Sequence, residues 1–362
     1  MNKWIKVMGI LIGVGMFLGA CSSEPEQIEV TRIVEVEVPG EDVEVEVTRI
    51  VEVEVPGEDV EVEVTRIVEA EVPTATDSGE ETVDSGEETN VEEVSEPTFE
   101  TVEVADGIYS FGNGEVYGAF MVTDEGVIVM DSVSPDFAER MLMEIQEVTD
   151  QPIKYLIYSH NHWDHISGGQ VFKDEGATVI AHQDAHDWLV NHPAPNPEVV
   201  IPDETWDGDR HDIVLGDNTI ELYHFGPSHG EGMTVFRFSE QNTIFTVDLV
   251  VPKRVGFAYM PDFTPRGWIA TLYAIEELEY ETVMFSHNAA FGPRSSVTEN
   301  REFLEDLRDE LFAMMERGEN PFAVFGGDLS AIKLPKYQDW AMYDAWLGLN
   351  AQRMLLEMVM GY

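Results

Sequence analysis

His160-Asn161-His162-Trp163-Asp164-His165 sets three imidazoles and a carboxylate within six consecutive residues. Imidazole nitrogen and carboxylate oxygen are the ligands that hold zinc or iron where no thiolate is on offer. The single cysteine, Cys21, lies far upstream of this run. On a loop leaving a strand, alternate side chains can be aimed at one point, so His160 and His162 are expected to share one ion. Asp164 and His165, on the next bend, are then expected to face a second. A turn that is merely polar would not place scarce histidines directly after an apolar run.

Residues 153–158 read as a buried strand that runs straight into Ser159-His160, which places the cluster at a strand's C-terminal end, ahead of Gly168-Gly169. Upstream, residues 102–104, 117–123 and 127–130 are short strand-like runs separated by Gly and Asp turn signals, an opening β-meander. Ser134 followed by Pro135 is a cap and a first helical position, and Phe137, Met141, Ile145 and Val148 keep helical spacing behind it. Strand signals continue at residues 178–181, 219–224, 233–238, 243–247 and 282–285. Alternation of this kind predicts an α/β fold with two layers of sheet and helices outside. Phe303, Leu304, Leu307, Leu311, Met314 and Met315 form a helical stripe, and residues 337–360 predict a further long helix, both assigned to core packing.

The spacing His-x-His-x-Asp-His at residues 160–165 resembles the signature of the metallo-β-lactamase superfamily in every specified position. That resemblance implies a four-layer αββα sandwich over residues 101–317, with residues 318–362 as a helical extension packed on it. It also implies two metal ions, zinc first, with iron or manganese as alternatives. His229, in Gly226-Pro227-Ser228-His229, resembles the third histidine of the first metal site, and Asp248, closing Phe245-Thr246-Val247-Asp248, resembles the bridging carboxylate. His287, after Phe285-Ser286, resembles the last histidine of the second site. The implied ligand set is His160, His162, Asp164, His165, His229, Asp248 and His287, with Asp164 and Asp248 at the chemistry. Asp131 resembles a carboxylate that the family often keeps just behind the metals, where it orients a histidine.

The reaction implied is attack by a metal-bridging hydroxide on the carbonyl of an ester, thioester, lactone or lactam. With no cysteine after Cys21, the cysteine-containing second site of the commonest zinc β-lactamases is absent. Asn288-Ala289-Ala290-Phe291 stands where glyoxalase II shows Glu-Tyr-Thr, which argues against glutathione thioesters. His162 stands where flavodiiron oxidoreductases carry glutamate. Persulfide dioxygenases, which keep these histidines around a single iron, are the alternative enzyme class. A surface binding lipoprotein that has lost catalysis is the alternative outside enzymes, and retention of every candidate ligand speaks against it.

Trp163, His182 and Tyr259 are candidates for the pocket wall, with Trp188, Trp206 and the stretch 254–263 beside them. His186, His192, His211 and His224 lack a ligand context and are assigned structural roles. An aromatic, mildly acidic surround suits a neutral or cationic small-molecule substrate.

The formal net charge of -51 sets further limits. About half of it lies in residues 24–100, where only Arg32, Arg49 and Arg66 oppose the acids. No Lys/Arg cluster that would hold a polyanion appears, which excludes nucleic acid as a partner. Residues 1–20, with Lys3 and Lys6 ahead of an apolar run, read as an export signal. Leu18-Gly19-Ala20-Cys21 resembles the bacterial lipoprotein cleavage box, which implies a lipid-modified Cys21 and a membrane-anchored protein facing the periplasm or the exterior. Val-Thr-Arg-Ile-Val recurs at residues 30–34, 47–51 and 64–68 in a Val/Glu alternation of strand period, broken by Pro39-Gly40 and Pro56-Gly57. Pairing would set like charges side by side, so residues 21–100 are expected to form a disordered or extended linker, with a reach of at most roughly 250 Å.

Overall fold

The computed structural model describes residues 28–38, 41–51 and 98–361; the export signal, Cys21 and the third repeat copy lie outside the described residues. Strands β1 (Ile28–Val38) and β2 (Glu41–Val51) pair antiparallel, from Ile28 opposite Val51 to Val38 opposite Glu41. The repeat is therefore extended, as its alternation predicts, but paired rather than single. The register sets Glu35 opposite Glu44 and Glu37 opposite Asp42. The same register sets Val34 opposite Val45 and Val36 opposite Val43, and it closes a ladder of backbone hydrogen bonds. Cross-strand charge pairs are worth about 1 kcal/mol or less each, too little to cancel valine's strand preference and the ladder together.

The folded unit is built from two sheets. The first runs in sequence order from β3 (Glu100–Ala105) through β4 (Ile108–Gly112), β5 (Tyr117–Val122), β6 (Val127–Met130), β7 (Ile153–Ile157) and β8 (Thr178–His182) to β9 (Glu204–Trp206). It is antiparallel as far as β6 and parallel beyond. The second contains β10 (Arg210–Leu215), β11 (Asn218–Tyr223), β12 (Val235–Phe238), β13 (Thr243–Thr246), β14 (Thr282–Phe285) and β15 (Phe291–Pro293), antiparallel except at β13–β14. Among the described residues seven α-helices accompany them: α1 (Pro135–Val148), α2 (Trp163–Ile166), α3 (Gly169–Asp174), α4 (Gln183–Asn191), α5 (Pro265–Glu276), α6 (Ser295–Glu316) and α7 (Tyr343–Met360).

The strand period sorts side chains into layers. Along β6, Ile128 and Met130 join Ile157, Ile220, Phe236 and Phe245 in the core between the sheets. Val127 and Val129 point the other way and pack with Phe137, Met141 and Ile145 of α1. A strand buried on both faces must be apolar throughout, and Val-Ile-Val-Met is. Behind the second sheet, Ile244 and Val283 pack against Trp268 and Leu272 of α5, Leu307 of α6 and Met354 of α7. Each fully buried Leu, Ile or Phe contributes about 1.5–3 kcal/mol. Three apolar layers between two sheets and flanking helices make the αββα sandwich.

Helix α1 begins where its cap predicts, with Ser134 Oγ accepting from the Phe137 N–H. The last helix does not: Pro335–Tyr337 is a single 3₁₀ turn, Met342 adopts φ 61°, and α7 starts at Tyr343. A left-handed residue cannot lie inside a right-handed helix, so the periodicity from 337 to 342 belongs to the turn. No helix among the described residues is long and apolar enough to cross a membrane.

Candidate metal centre

Parallel pairing puts the C-terminal ends of neighbouring strands side by side, and the candidate residues leave from those ends. Asp131 follows β6, the run 159–165 follows β7, Asp248 follows β13 and His287 follows β14. His229 arrives from the turn between β11 and β12. Asp131, Val133 and Asp248 all adopt positive φ, 58°, 57° and 59°. Such conformations cost about 1–3 kcal/mol each and persist where the surroundings hold them.

The imidazoles converge on one carboxylate. Asp248 Oδ2 lies 3.0 Å from His165 Nε2, 3.1 Å from His229 Nε2 and 3.5 Å from His160 Nε2, while Oδ1 lies 2.9 Å from His287 Nε2. Potential ligand atoms fall into two groups that share this aspartate, His160, His162, His229 and Asp248 in one and His165, Asp248 and His287 in the other. Within each group they lie within 4.8 Å of one another.

Behind them a second set of groups fixes the rings. Asp131 accepts from the Ser159 N–H at 2.8 Å and from the Ser159 hydroxyl at 2.7 Å. With that hydroxyl proton committed to Asp131, Ser159 Oγ can only accept from His160 Nδ1, 2.8 Å away, which assigns the proton to Nδ1 and leaves Nε2 a lone pair. His287 Nδ1 lies 3.1 Å from the Glu115 carbonyl oxygen, His165 Nδ1 lies 3.7 Å from Asp131, and His162 Nε2 lies 2.7 Å from Asp262. Ser286 Oγ accepts from the Asp248 N–H and donates to its Oδ1. Phe263 stacks on His229 with ring centroids 3.8 Å apart.

The fit to an ion is testable on these atoms. His160 Nε2, His165 Nε2, His229 Nδ1 and His287 Nε2 are buried without a hydrogen-bond partner. Buried polar atoms are normally satisfied. An ion among them would satisfy the three Nε2 atoms that face Asp248. Burial pushes His160 well below the ordinary imidazole value and lowers His229 as well, so both offer neutral lone pairs. Burial would raise Asp248, but the imidazoles of His165, His229 and His287 beside it hold it well below the usual carboxylate range. Asp131, enclosed on all sides, is pushed up to about 6 by desolvation despite His165. The nitrogen and carboxylate donor set suits zinc, iron or manganese.

Other expected residues stand further off. Asp164 Oδ2 is 3.6 Å from His165 Nε2, but its side chain is 75% exposed and it is not a member of either group. Trp163 packs edge-on against Trp188 and His192. Tyr259, exposed, lines a cavity of about 320 Å³ with Pro261, Phe325, Leu349 and Leu356. His182 stacks on His224 at 4.2 Å with the rings 22° apart, and both lie near Asp184. Imidazole lone pairs lie in the ring plane, so nearly parallel rings cannot aim at a common ion, and His182 Nδ1 already accepts from the Asp184 N–H. His182 therefore caps α4 rather than joining a third centre.

Sequence reading missed Ser159, Ser286 and Asp262. A signal for two of them was present: Ser159-His160, Ser228-His229 and Ser286-His287 repeat one dipeptide at three of the converging positions.

Comparison with known proteins places this geometry. Residues 113–287 match the family model described as the metallo-beta-lactamase superfamily. The chain is 25% identical over 196 residues to the 2,4-dinitroanisole O-demethylase subunit alpha of Nocardioides sp. (strain JS1661), across 53% of this chain and 58% of that protein. It is 40% identical over 52 residues to a linear primary-alkylsulfatase of Pseudomonas sp. (strain ATCC 19151), 14% of this chain and 10% of the other. A hydroxyacylglutathione hydrolase of Pelagibacter ubique (strain HTCC1062) is 23% identical over 139 residues, 36% of this chain and 49% of that one. The chain thus spans less than two thirds of the length of each. Among solved structures, a metallo-beta-lactamase from Pontibacter korlensis superposes with TM-score 0.52 at 19% identity, covering 58% of this chain and all of that one. The sec-alkylsulfatase Pisa1 from Pseudomonas sp. gives TM-score 0.61 at 14% identity over 72% of this chain and 50% of that one. Residues 113–287 thus resemble the metallo-beta-lactamase superfamily by its family model, and the two sheets with flanking helices match the metallo-β-lactamase fold of these structures.

Proposed function

We propose that this protein is a metal-dependent hydrolase of small molecules, with its metals at His160, His162, His229 and Asp248 and at His165, Asp248 and His287, the second completed by Asp164 turning in from the surface beside His165. The observation that carries the reading is the convergence of four imidazole Nε2 atoms on Asp248 with three of them lacking any hydrogen-bond partner. Two divalent ions there, zinc first, would supply Lewis acidity, lowering the pKa of a shared water toward neutrality and polarising the bond to be cleaved.

The chain's own residues do the rest. Asp248 belongs to both groups and sets their separation. Asp131 and Ser159 keep the His160 proton on Nδ1, so that Nε2 stays a ligand. Asp262 occupies His162 Nε2, which leaves Nδ1 as the nitrogen that His162 offers. The bond cleaved is proposed to be that of an ester, thioester, lactone or lactam. Relatives named for hydrolysis of an acylglutathione and of an alkyl sulfate support a hydrolytic reading across different leaving groups.

Cys21 is proposed to carry the lipid that holds the protein on the outer side of a bacterial membrane, with the acidic repeat as spacer and no nucleic-acid partner. Incorporation of labelled palmitate into the wild type and its loss in Cys21→Ala would support this; equal labelling, or a wild type found only in the soluble fraction, would end it.

Elemental analysis of the purified full chain tests the centre. About two zinc ions per chain are expected, with hydrolysis of an ester, lactone and lactam panel. Asp248→Ala, which removes the residue common to both groups, is expected to lower both occupancies and abolish turnover. A single iron with oxygen uptake would move the protein to the dioxygenase class, and a chain that takes up no metal on reconstitution would be a binding protein.

A further inference from the structure

The chain holds 71 acidic and 20 basic residues, and many of the described cations pair with a carboxylate. Lys253 has Glu299, Arg301 has Glu276 and Glu305, and Lys336 has Glu302 and Asp306. Arg254 is different: among the described residues no carboxylate pairs with it, and its Nε and Nη2 are buried without a hydrogen-bond partner. Its guanidinium sits 4.0 Å from the Phe257 ring centroid and 5.6 Å from that of Trp346. Phe257 meets His287 edge-on at 5.4 Å, so one aromatic ring separates the cation from a candidate ligand.

This position is held from outside the catalytic sandwich. Lys253 adopts φ 52°, its carbonyl accepts from the Ala341 N–H at 2.8 Å, and the Val255 N–H returns to the Ala341 carbonyl at 3.3 Å. Asn350 of α7, fully buried, donates to the carbonyls of Gly256 and Phe257. The C-terminal extension thus clamps both ends of the segment that carries Arg254.

A guanidinium cannot shed its proton near neutral pH; burial lowers Arg254 only to about 10, with the charge of Asp248 pulling the other way. Cation–π contact with Phe257 and Trp346 offsets part of its desolvation, but Nε and Nη2 remain without an acceptor unless an anion arrives. Asp248 is not that anion, because imidazoles already enclose it and metal loading would make the centre more positive. The counter-charge must come with the ligand.

We infer that Arg254 is the anion-binding residue of the substrate pocket, and that the substrate carries a small oxyanion such as a carboxylate on the His287 side of the metal centre. The word substrate rests on the hydrolase reading; anion binding at Arg254 does not. The inference reverses the neutral or cationic ligand expected from the acidic surround, since a specific unpaired cation outranks an average.

The test has two arms on the full chain. In the first, metal-stripped protein is titrated with hexanoate and with its neutral counterpart hexanamide, followed by tryptophan fluorescence. The wild type is expected to prefer hexanoate roughly tenfold or more, the scale of one charge-assisted hydrogen bond, and Arg254→Gln to lose that preference. A wild type without the preference, or an Arg254→Gln that keeps it, overturns the inference. Should Arg254→Gln not fold, Arg254→Lys decides: loss of the planar fork is expected to weaken the preference several-fold, and an unchanged preference overturns the inference. In the second arm, zinc-loaded protein is assayed on mono-4-nitrophenyl glutarate and 4-nitrophenyl valerate. The ratio of kcat/KM for the anionic over the neutral ester is expected to fall roughly tenfold in Arg254→Gln, carried by KM. An equal loss on both esters marks a merely structural arginine. If the wild type cleaves neither ester, the hydrolase reading fails and the fluorescence arm still decides on Arg254.

Discussion

Asp131→Asn should push two properties of this protein in opposite directions. The carboxylate is 1% exposed and sits at φ 58°, a conformation that asparagine tolerates as well as aspartate, so the exchange removes charge without straining the backbone. Desolvation pushes Asp131 from 3.8 up to about 6 in the metal-free fold. A carboxyl whose folded value lies above its unfolded value binds its proton more tightly when folded. Its penalty is therefore absent below pH 3.8, grows as pH rises through the window to about 6, and is complete at pH 7. About two units at 1.36 kcal/mol each give up to about 3 kcal/mol. Metal-stripped Asp131→Asn should consequently unfold several degrees higher than wild type at pH 7 and at the same temperature near pH 3.5. Zinc affinity should move the other way. Without the carboxylate, the Ser159 hydroxyl is free to donate to His160 Nδ1, which shifts the ring proton to Nε2 and removes a ligand. The loss of such a support typically costs 10–100-fold in metal affinity, about 1.4–2.7 kcal/mol. Thermal scans across pH on stripped protein and chelator competition on loaded protein read the two effects. A variant no more stable than wild type at pH 7, or one with unchanged zinc affinity, would refute the argument.

Asp262→Asn should weaken the first metal group roughly tenfold and spare the second, because its carboxylate touches only His162 of the cluster; stepwise zinc titration would resolve the two affinities, and an equal fall in both would contradict it. Trp268→Ala should cost about 3–5 kcal/mol in denaturant unfolding, since the indole is 3% exposed, donates to the Leu249 carbonyl and supports Phe263 beneath His229. A loss under 1 kcal/mol would mean that the site collapses without strain. Asn350→Ala should cost about 1–3 kcal/mol by leaving the Gly256 and Phe257 carbonyls unpaired, and amide exchange in residues 253–259 should rise with it; unchanged exchange would show that the Ala341 bridge alone holds the segment.

The layers of the fold were legible because strands buried on both faces read as unbroken apolar runs, as in residues 127–130, and because Ser134-Pro135 carries its own cap chemistry. The same signal stands at Thr264-Pro265 and opens α5, although Thr264 makes no side-chain cap hydrogen bond there. The repeat is extended, as its alternation predicts, while the pairing of β1 with β2 rests on a ladder of backbone hydrogen bonds that side-chain charge does not report. Helix α7 was extended backwards through Met342 because periodicity does not report φ. In the site, the compact run at 160–165 announced itself, while Asp248 and His287 needed a resemblance to be singled out. Asp262 carried no signal, because its partner His162 is a hundred residues away and only the folded turn after β13 brings them together.

The three Ser-His pairs show why even a visible pattern does not state its own meaning. Ser159 braces the histidine that follows it and ties that ring to Asp131. Ser286, in the same dipeptide at the end of a parallel strand, turns instead to Asp248, taking its N–H and donating to its carboxylate. Ser228 does neither; its hydroxyl is buried without a partner, and it contributes through its carbonyl, which accepts from the Thr264 N–H at the start of α5. One small hydroxyl beside each histidine is a residue type that fits the crowded strand ends. Which acceptor it finds depends on whether Asp131 or Asp248 stands opposite, and that is fixed by which strands run parallel, β6 with β7 and β13 with β14. The chemistry at this centre is thus set by sheet topology acting on a repeated dipeptide.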